Sequence, residues 1–212
     1  MIVLMDSTKA AAEDLSGQGV EVGQLLTPLT NYKRWSDTWA IDNGAFSSFD
    51  AAAFKRLLAR QAGSKAGCLF VAAPDIVGNA RRTLEVYGHV AHEWLAGWPR
   101  ALVLQDGIED LDIPWGKLDA VFVGGSTEFK GSTAAMDCAK AAKILGKHVH
   151  VGRVNTPWRA DYWESIADTC DGSGLARYSH MREAYAEGLP LLAGGAEPLK
   201  PHSGPRTKLP AS

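Results

Sequence analysis

The sequence predicts a compact α/β fold, a closed (β/α)8 TIM-like barrel in a single domain. Three observations predict it. Short apolar or β-branched runs recur along the 212 residues, helix-period patterns lie between most of them, and no GxGxxG or GxxxxGK[ST] loop marks an open nucleotide-binding sheet. The runs lie at 2–5, 38–41, 68–72, 101–104, 120–123, 148–151 and, weakly, 166–170. Apolar runs bounded by turn signals read as buried strands. An eighth strand is available at 20–25 or at 189–192.

The helices are justified by their ends and faces. Asp50 can cap AAAFKRLLARQAG, in which Phe54, Leu57, Leu58 and Gln61 share a face and Gly63 is the stop. Over 79–96, Leu84, Tyr87, Ala91 and Trp94 recur at three- and four-residue spacing. Ser132 to Gly146 is alanine-rich and ends in glycine, and Thr156-Pro157 is an N-cap followed by proline at the first helical position.

Composition sets outer limits on function. With 46% hydrophobic and 22% charged residues, the chain can bury one sizeable core. One barrel domain is therefore expected over 1–195, followed by a polar, proline-rich tail over 196–212 that carries Lys200, Arg206 and Lys208. A net charge of −2 gives no global pull toward a polyanion, so a nucleic-acid partner must be held by a local patch. Cys68, Cys138 and Cys170 are far apart and form no CxxC pair, which signals neither a disulfide framework nor a cysteine zinc site and fits a reducing cytoplasm. No window reaches the roughly 20 apolar residues of a bilayer span, so no membrane partner is expected.

The chemistry is expected where the runs end. Asp42 follows one run and Asp75 the next; Gln105-Asp106-Gly107, Gly124-Gly125-Ser126, Gly152-Arg153 and Asp171-Gly172 follow others. In a barrel these residues gather at the rim where active sites are built. A strand-end aspartate is commonly a turn or helix cap, and paired glycines permit a tight turn, so each position has an ordinary alternative. The set as a whole suits a planar heterocycle of guanine type. Asp75 can accept from N1–H and the 2-amino group, Gln105 and the Gly124-Gly125 backbone can donate to O6 and N7, and Phe46 can stack on the ring. Two carboxylates remain, one available as a nucleophile at a sugar carbon and one as general acid/base. His148 and His150 lie two apart on one strand, so both imidazoles point the same way, which suits packing or polar lining better than a metal site.

The order DNGAF, PD, LVLQDG, FVGGS and DGSGLAR resembles the tRNA-guanine transglycosylase superfamily, in which DSGGF, a guanine-binding aspartate, VQG, a GG loop and an aspartate with an arginine six residues on occur in that order. The spacing of Asp171 and Arg177 reproduces the last of these. The stretch VGGSTEFK and the short chain look more like the bacteriophage and bacterial DNA 7-deazaguanine transglycosylases. The resemblance covers roughly residues 24–180.

What the resemblance implies is a ping-pong exchange. Asp171 would attack C1′, Asp42 would serve as acid/base, and Asp75, Gln105, Gly124 and Gly125 would read the base. Arg177 would touch the neighbouring backbone. No cofactor and no metal is implied, because one glycosidic bond replaces another and the zinc-bearing segment of the tRNA enzymes has no counterpart here. DNA and a free 7-deazaguanine base become the expected partners, with tRNA less favoured. Lys130, Arg153 and Arg159 are the expected backbone contacts, with Lys33, Arg34, Trp35, Trp158 and Tyr178 as further candidates. Two other readings stay open: a glycosyl transferase or hydrolase on free nucleosides or another modified base, and a non-catalytic purine-binding or partner subunit. A barrel aldolase is disfavoured because no lysine stands at a strand end.

Overall fold

The structure, a computed structural model, describes residues 1–30 and 32–188. The candidate run 189–192, the end of the expected domain at 189–195 and the tail 196–212 lie outside the described residues. Eight parallel strands close on themselves in chain order. They are β1 (Ile2–Met5), β2 (Val22–Leu26), β3 (Trp39–Ile41), β4 (Cys68–Ala72), β5 (Arg100–Leu104), β6 (Ala120–Val123), β7 (His148–Val151) and β8 (Thr169–Asp171). Closure is made by β8 on β1, with Leu4 opposite Asp171. The eighth strand is thus β2, near the expected 20–25, and the last strand starts later than 166 because the Ile166 and Ala167 N–H groups bond back to the Trp163 carbonyl, at 3.0 and 2.8 Å.

The helices outside the barrel are α1 (Lys9–Ser16), α2 (Ala51–Gln61), α3 (Ala80–Trp94), α4 (Thr127–Lys130), α5 (Thr133–Ile144), α6 (Pro157–Glu164), α7 (Ser173–Arg177) and α8 (Ser179–Ala186). Asp50, Ser132 and Thr156 cap α2, α5 and α6 as their sequence positions predict, each side chain accepting a backbone N–H three residues on. Gly63 does not stop α2; the chain tightens into a 3-10 turn that runs to Gly67.

Two crossovers explain how so short a chain closes a barrel. Among the described residues β2 and β3 are joined without a helix, and β5 and β6 are joined only by 3-10 turns. The helix-free β2–β3 segment is pinned from within. Gln24, fully buried on β2, donates to the Lys33 carbonyl at 3.0 Å and accepts from the Trp35 N–H at 2.7 Å. Its amide is satisfied on both sides, as a buried polar group requires.

Alternating residues of each strand supply two separate cores. Leu4, Leu25, Ala40, Phe70, Ala101, Val103 and Phe122 fill the barrel, while the other strand faces pack with Phe54, Tyr87 and Trp163 of the helices. Phe70 and Phe122 meet edge to face with centroids 6.1 Å apart. The small residues Ala40, Ala101 and Ala120 make room for these rings, so the interior is packed rather than open.

Candidate active site at the barrel rim

A cavity of about 360 Å³, ample for a nucleobase, opens at the carboxyl ends of the strands. Asp42, Phe46, Asp75, Gln105, Asp171 and Arg177 line it, together with Gly124, Gly125, Lys130 and Arg153. The structure therefore brings the sequence-predicted base-reading and catalytic residues to one place. Arg159 is attached at its edge, where its Nη1 donates to the Arg153 carbonyl at 3.4 Å.

Asp171 ends β8. The helix that follows is capped by Gly172 with no side-chain bond, so the Asp171 carboxylate is not a helix cap. Its Oδ1 accepts the Arg153 N–H at 3.1 Å, and its Oδ2 meets His150 Nε2 at 3.1 Å. Arg153 reaches this position with φ of 60°, a left-handed conformation rare outside glycine and common where function holds the backbone. Gly152 also matters here: a Cβ on it would lie 2.6 Å from the Phe122 ring.

Asp42 behaves differently. Its backbone N–H extends the sheet to the Leu26 carbonyl at 2.9 Å, and the residue lines the cavity wall. Burial, followed by the negative charges of Asp171 and Asp75, pushes its carboxyl up to about 7, against partial relief from the N–H groups of Gly44 and Asn43. A carboxylic acid that titrates near neutrality opposite a second carboxylate is the arrangement that lets one give and take a proton while the other attacks.

Asp75 is buried, and burial raises its pKa although two amides oppose the shift. Asn43 Nδ2 donates to its Oδ1 at 2.7 Å and Gln105 Nε2 to its Oδ2 at 2.6 Å. Gln105 in turn accepts the Gly78 N–H at 2.8 Å, which fixes the orientation of its amide. Gly124 leaves space for it: a Cβ there would lie 3.1 Å from Gln105 Nε2 and 2.7 Å from Val103 Cγ1. Asp106, by contrast, is structural. Burial works against its charge, but the Ser126 hydroxyl and N–H hold its pKa below the usual carboxylate range and tie the β6–α4 loop to β5.

Two expectations change. Lys130 was expected on a polymer backbone at the surface, but it is only 2% exposed. It is the last residue of the four-residue α4, and its side chain lines the cavity. Burial, then the charges of Arg153 and Arg159, lower its ammonium pKa to about 7. Phe46 is 61% exposed, yet its ring is covered by the Arg153 guanidinium at 3.8 Å, a cation–π contact between loops on opposite sides of the barrel mouth.

Sequence reasoning missed Asn43, taken as a turn residue. It is 2% exposed and a hub, donating to the Ala73 carbonyl at 2.6 Å as well as to Asp75. It also missed Asp6, which lines the cavity and accepts from Thr30 at 2.6 Å and Thr27 at 3.3 Å, its pKa raised by burial. Asp6 follows the first apolar run just as Asp42 follows another, so the same rule would have found it. Among the described residues no three His, Cys, Asp or Glu side chains converge as a metal site, and no helix is long and apolar enough to cross a membrane.

No family model matches the chain, and no curated protein matches it. Among solved structures, a proposed dihydrodipicolinate synthetase from Pseudomonas aeruginosa is similar over 88% of this chain and 76% of that one, with 14% identity and a TM-score of 0.46. That likeness carries no functional assignment.

Proposed function

We propose that this chain is a base-exchange glycosyltransferase that replaces guanine in DNA by a 7-deazaguanine through a covalent aspartyl-sugar intermediate. The observation that carries the reading is the pairing of Asp42, whose carboxyl is pushed up to about 7, with Asp171, whose carboxylate is held by Arg153 and His150. In the first half, an Asp171 oxygen bonds to C1′, the C1′–N9 bond breaks, and the Asp42 proton goes to the departing base. In the second, Asp42 takes the N9 proton of the incoming base, N9 bonds to C1′, and the ester to Asp171 breaks. Two displacements retain configuration at the sugar. Asp75 and Gln105 read the base edge. Supporting a polymer substrate, Leu29, Phe46, Ile76, Val77, Trp158 and Tyr178 are exposed on segments that follow strand carboxyl ends, where an extruded nucleotide must enter.

The test is incorporation of labelled guanine into duplex DNA, single-stranded DNA and tRNA, with Asp171→Ala as control. Label entering DNA in an Asp171-dependent manner is expected. Undiminished turnover without Asp171 refutes the mechanism, and label entering no polymer moves the weight to a nucleoside enzyme.

One observation favours a second reading. Lys130 places in the cavity an amine that titrates near 7, a nucleophile toward carbonyl carbon that the sequence did not place at a strand end. An imine-forming lyase would leave a borohydride-reducible adduct on Lys130, which mass spectrometry detects after incubation with small aldehydes or ketones.

A further inference from the structure

The barrel interior holds a polar column whose protons the exchange mechanism leaves unassigned. His148 and His150 of β7 both face inward, as their two-residue spacing requires. His148 Nε2 lies 2.9 Å from Thr169 Oγ1, the same oxygen lies 2.8 Å from His150 Nδ1, and His150 Nε2 lies 3.1 Å from Asp171 Oδ2. His150 is fully buried, wedged between the Phe122 ring at 4.4 Å and the Phe70 ring at 4.8 Å between centroids. At the far end Asp168 is occupied by Lys143 at 2.6 Å and by the Val149 N–H at 2.8 Å, and it stands 3.9 Å from His148 Nδ1.

One hydroxyl proton between two imidazoles permits only two consistent patterns for neutral rings. In one, Thr169 donates to His150 Nδ1, so His150 carries its proton on Nε2 and donates to Asp171, while His148 donates to Thr169 from Nε2. In the other, every bond is reversed, and Asp171 must itself be protonated to donate to His150. Only the first leaves Asp171 an attacking carboxylate. Burial pushes His148 down to about 4, against the opposing pull of Asp168, which keeps that ring neutral as the column requires.

We propose that His150 is the positioning residue of Asp171: the Thr169 hydroxyl fixes His148 and His150 as Nε2–H tautomers, and His150 holds the nucleophile from inside the barrel. The proposal rests on the reading of Asp171 as nucleophile, but the tautomers can be measured without any substrate.

The experiment is long-range 15N–1H correlation of the histidine rings in the full chain, whose six histidines are assigned by single substitution. Nε2–H signals at both His148 and His150 are expected; an Nδ1–H ring at His150 overturns the proposal. This result stands whether or not guanine exchange is found, so it separates failure of the column from failure of the proposed reaction. Where exchange is found, His150→Phe, which keeps the packing and removes the donor, should lower kcat about 10²-fold with little change in KM, the scale of a misplaced catalytic group. His150→Gln, which restores an N–H near the same place, should recover at least about tenfold of that loss. A folded His150→Phe protein with unchanged kcat would also overturn it.

Discussion

The raised pKa of Asp42 links activity to stability in a way that one substitution exposes. Its carboxyl moves from 3.8 to about 7 on folding, so the folded state holds the proton more tightly than the unfolded chain. Protonation therefore favours folding, and this contribution is lost as pH rises from about 4 through about 7, the reverse of an ordinary paired aspartate. At about 1.36 kcal/mol per tenfold change in proton affinity, the raised pKa of Asp42 leaves the fold less stable than at low pH by roughly 1.7 kcal/mol at pH 5, where only the unfolded chain ionises, and by roughly 4 kcal/mol at pH 8. Asp42→Asn keeps the shape and an acceptor for the Asn43 and Gly44 N–H groups, but it has no charge to bury. Urea unfolding of both proteins at the two pH values isolates the effect, because titrating groups that do not interact with Asp42 and pH-independent contacts cancel in the double difference. The variant should gain on wild type by roughly 2.5 kcal/mol between pH 5 and pH 8, equivalent to roughly 5–10 °C in Tm for a chain of this size. It should also lose exchange activity. A stability gap that is equal at both pH values, or that shrinks as pH rises, refutes the argument.

Other consequences are simpler. Asp75→Ala leaves Asn43 and Gln105 facing a void and removes the carboxylate that accepts from the base, so KM for the free base should rise roughly 10- to 100-fold in a steady-state titration. Gly124→Ala forces a methyl against Val103 and Gln105 and should cost about 1–3 kcal/mol in chemical denaturation. If Arg153 and Arg159 each meet a phosphate while the buried Lys130 does not, DNA affinity should fall with a log–log salt slope of about −1.8, and Arg159→Ala should reduce that slope by about one. A flat slope would point to a free nucleoside instead.

Most strands were legible because they are short apolar runs followed by polar or glycine residues, and in a barrel a strand's end fixes its place on the rim; β2, with Gln24 inside it, and β8, Thr-Cys-Asp, carry the weaker signal. The runs at 68–72, 120–123 and 148–151 match β4, β6 and β7 residue for residue. What the sequence hid is what depends on contacts across the barrel. Asn43 reads as a turn because asparagine before glycine is a local signal, while its bonds to Ala73 and Asp75 join residues some 30 positions apart. Lys130 reads as a surface cation until the short α4 carries it inward. The Arg153–Phe46 contact joins the loops after β7 and β3, which no local pattern relates.

Chain order around the closed sheet then constrains how a base would lie under the proposed reading. Asp75 and Gln105 follow the adjacent strands β4 and β5 and are locked together at 2.6 Å, so they present one polar edge to a planar ligand. Asp171 ends β8, across the barrel, and is backed by His150 of β7 and by Arg153 just after it. A base held by its edge on β4–β5 therefore directs its glycosidic bond toward β8, and Asp42, after β3, flanks the edge-reading side. The same order explains why the Arg153–Phe46 contact must open: it spans the mouth through which the sugar has to pass. Phe46→Ala, which removes the ring under a guanidinium still held by the Gly125 carbonyl at 2.8 Å and touches neither of the proposed catalytic aspartates, should therefore speed base entry while weakening retention, seen as a faster association rate and a still faster dissociation rate for labelled guanine.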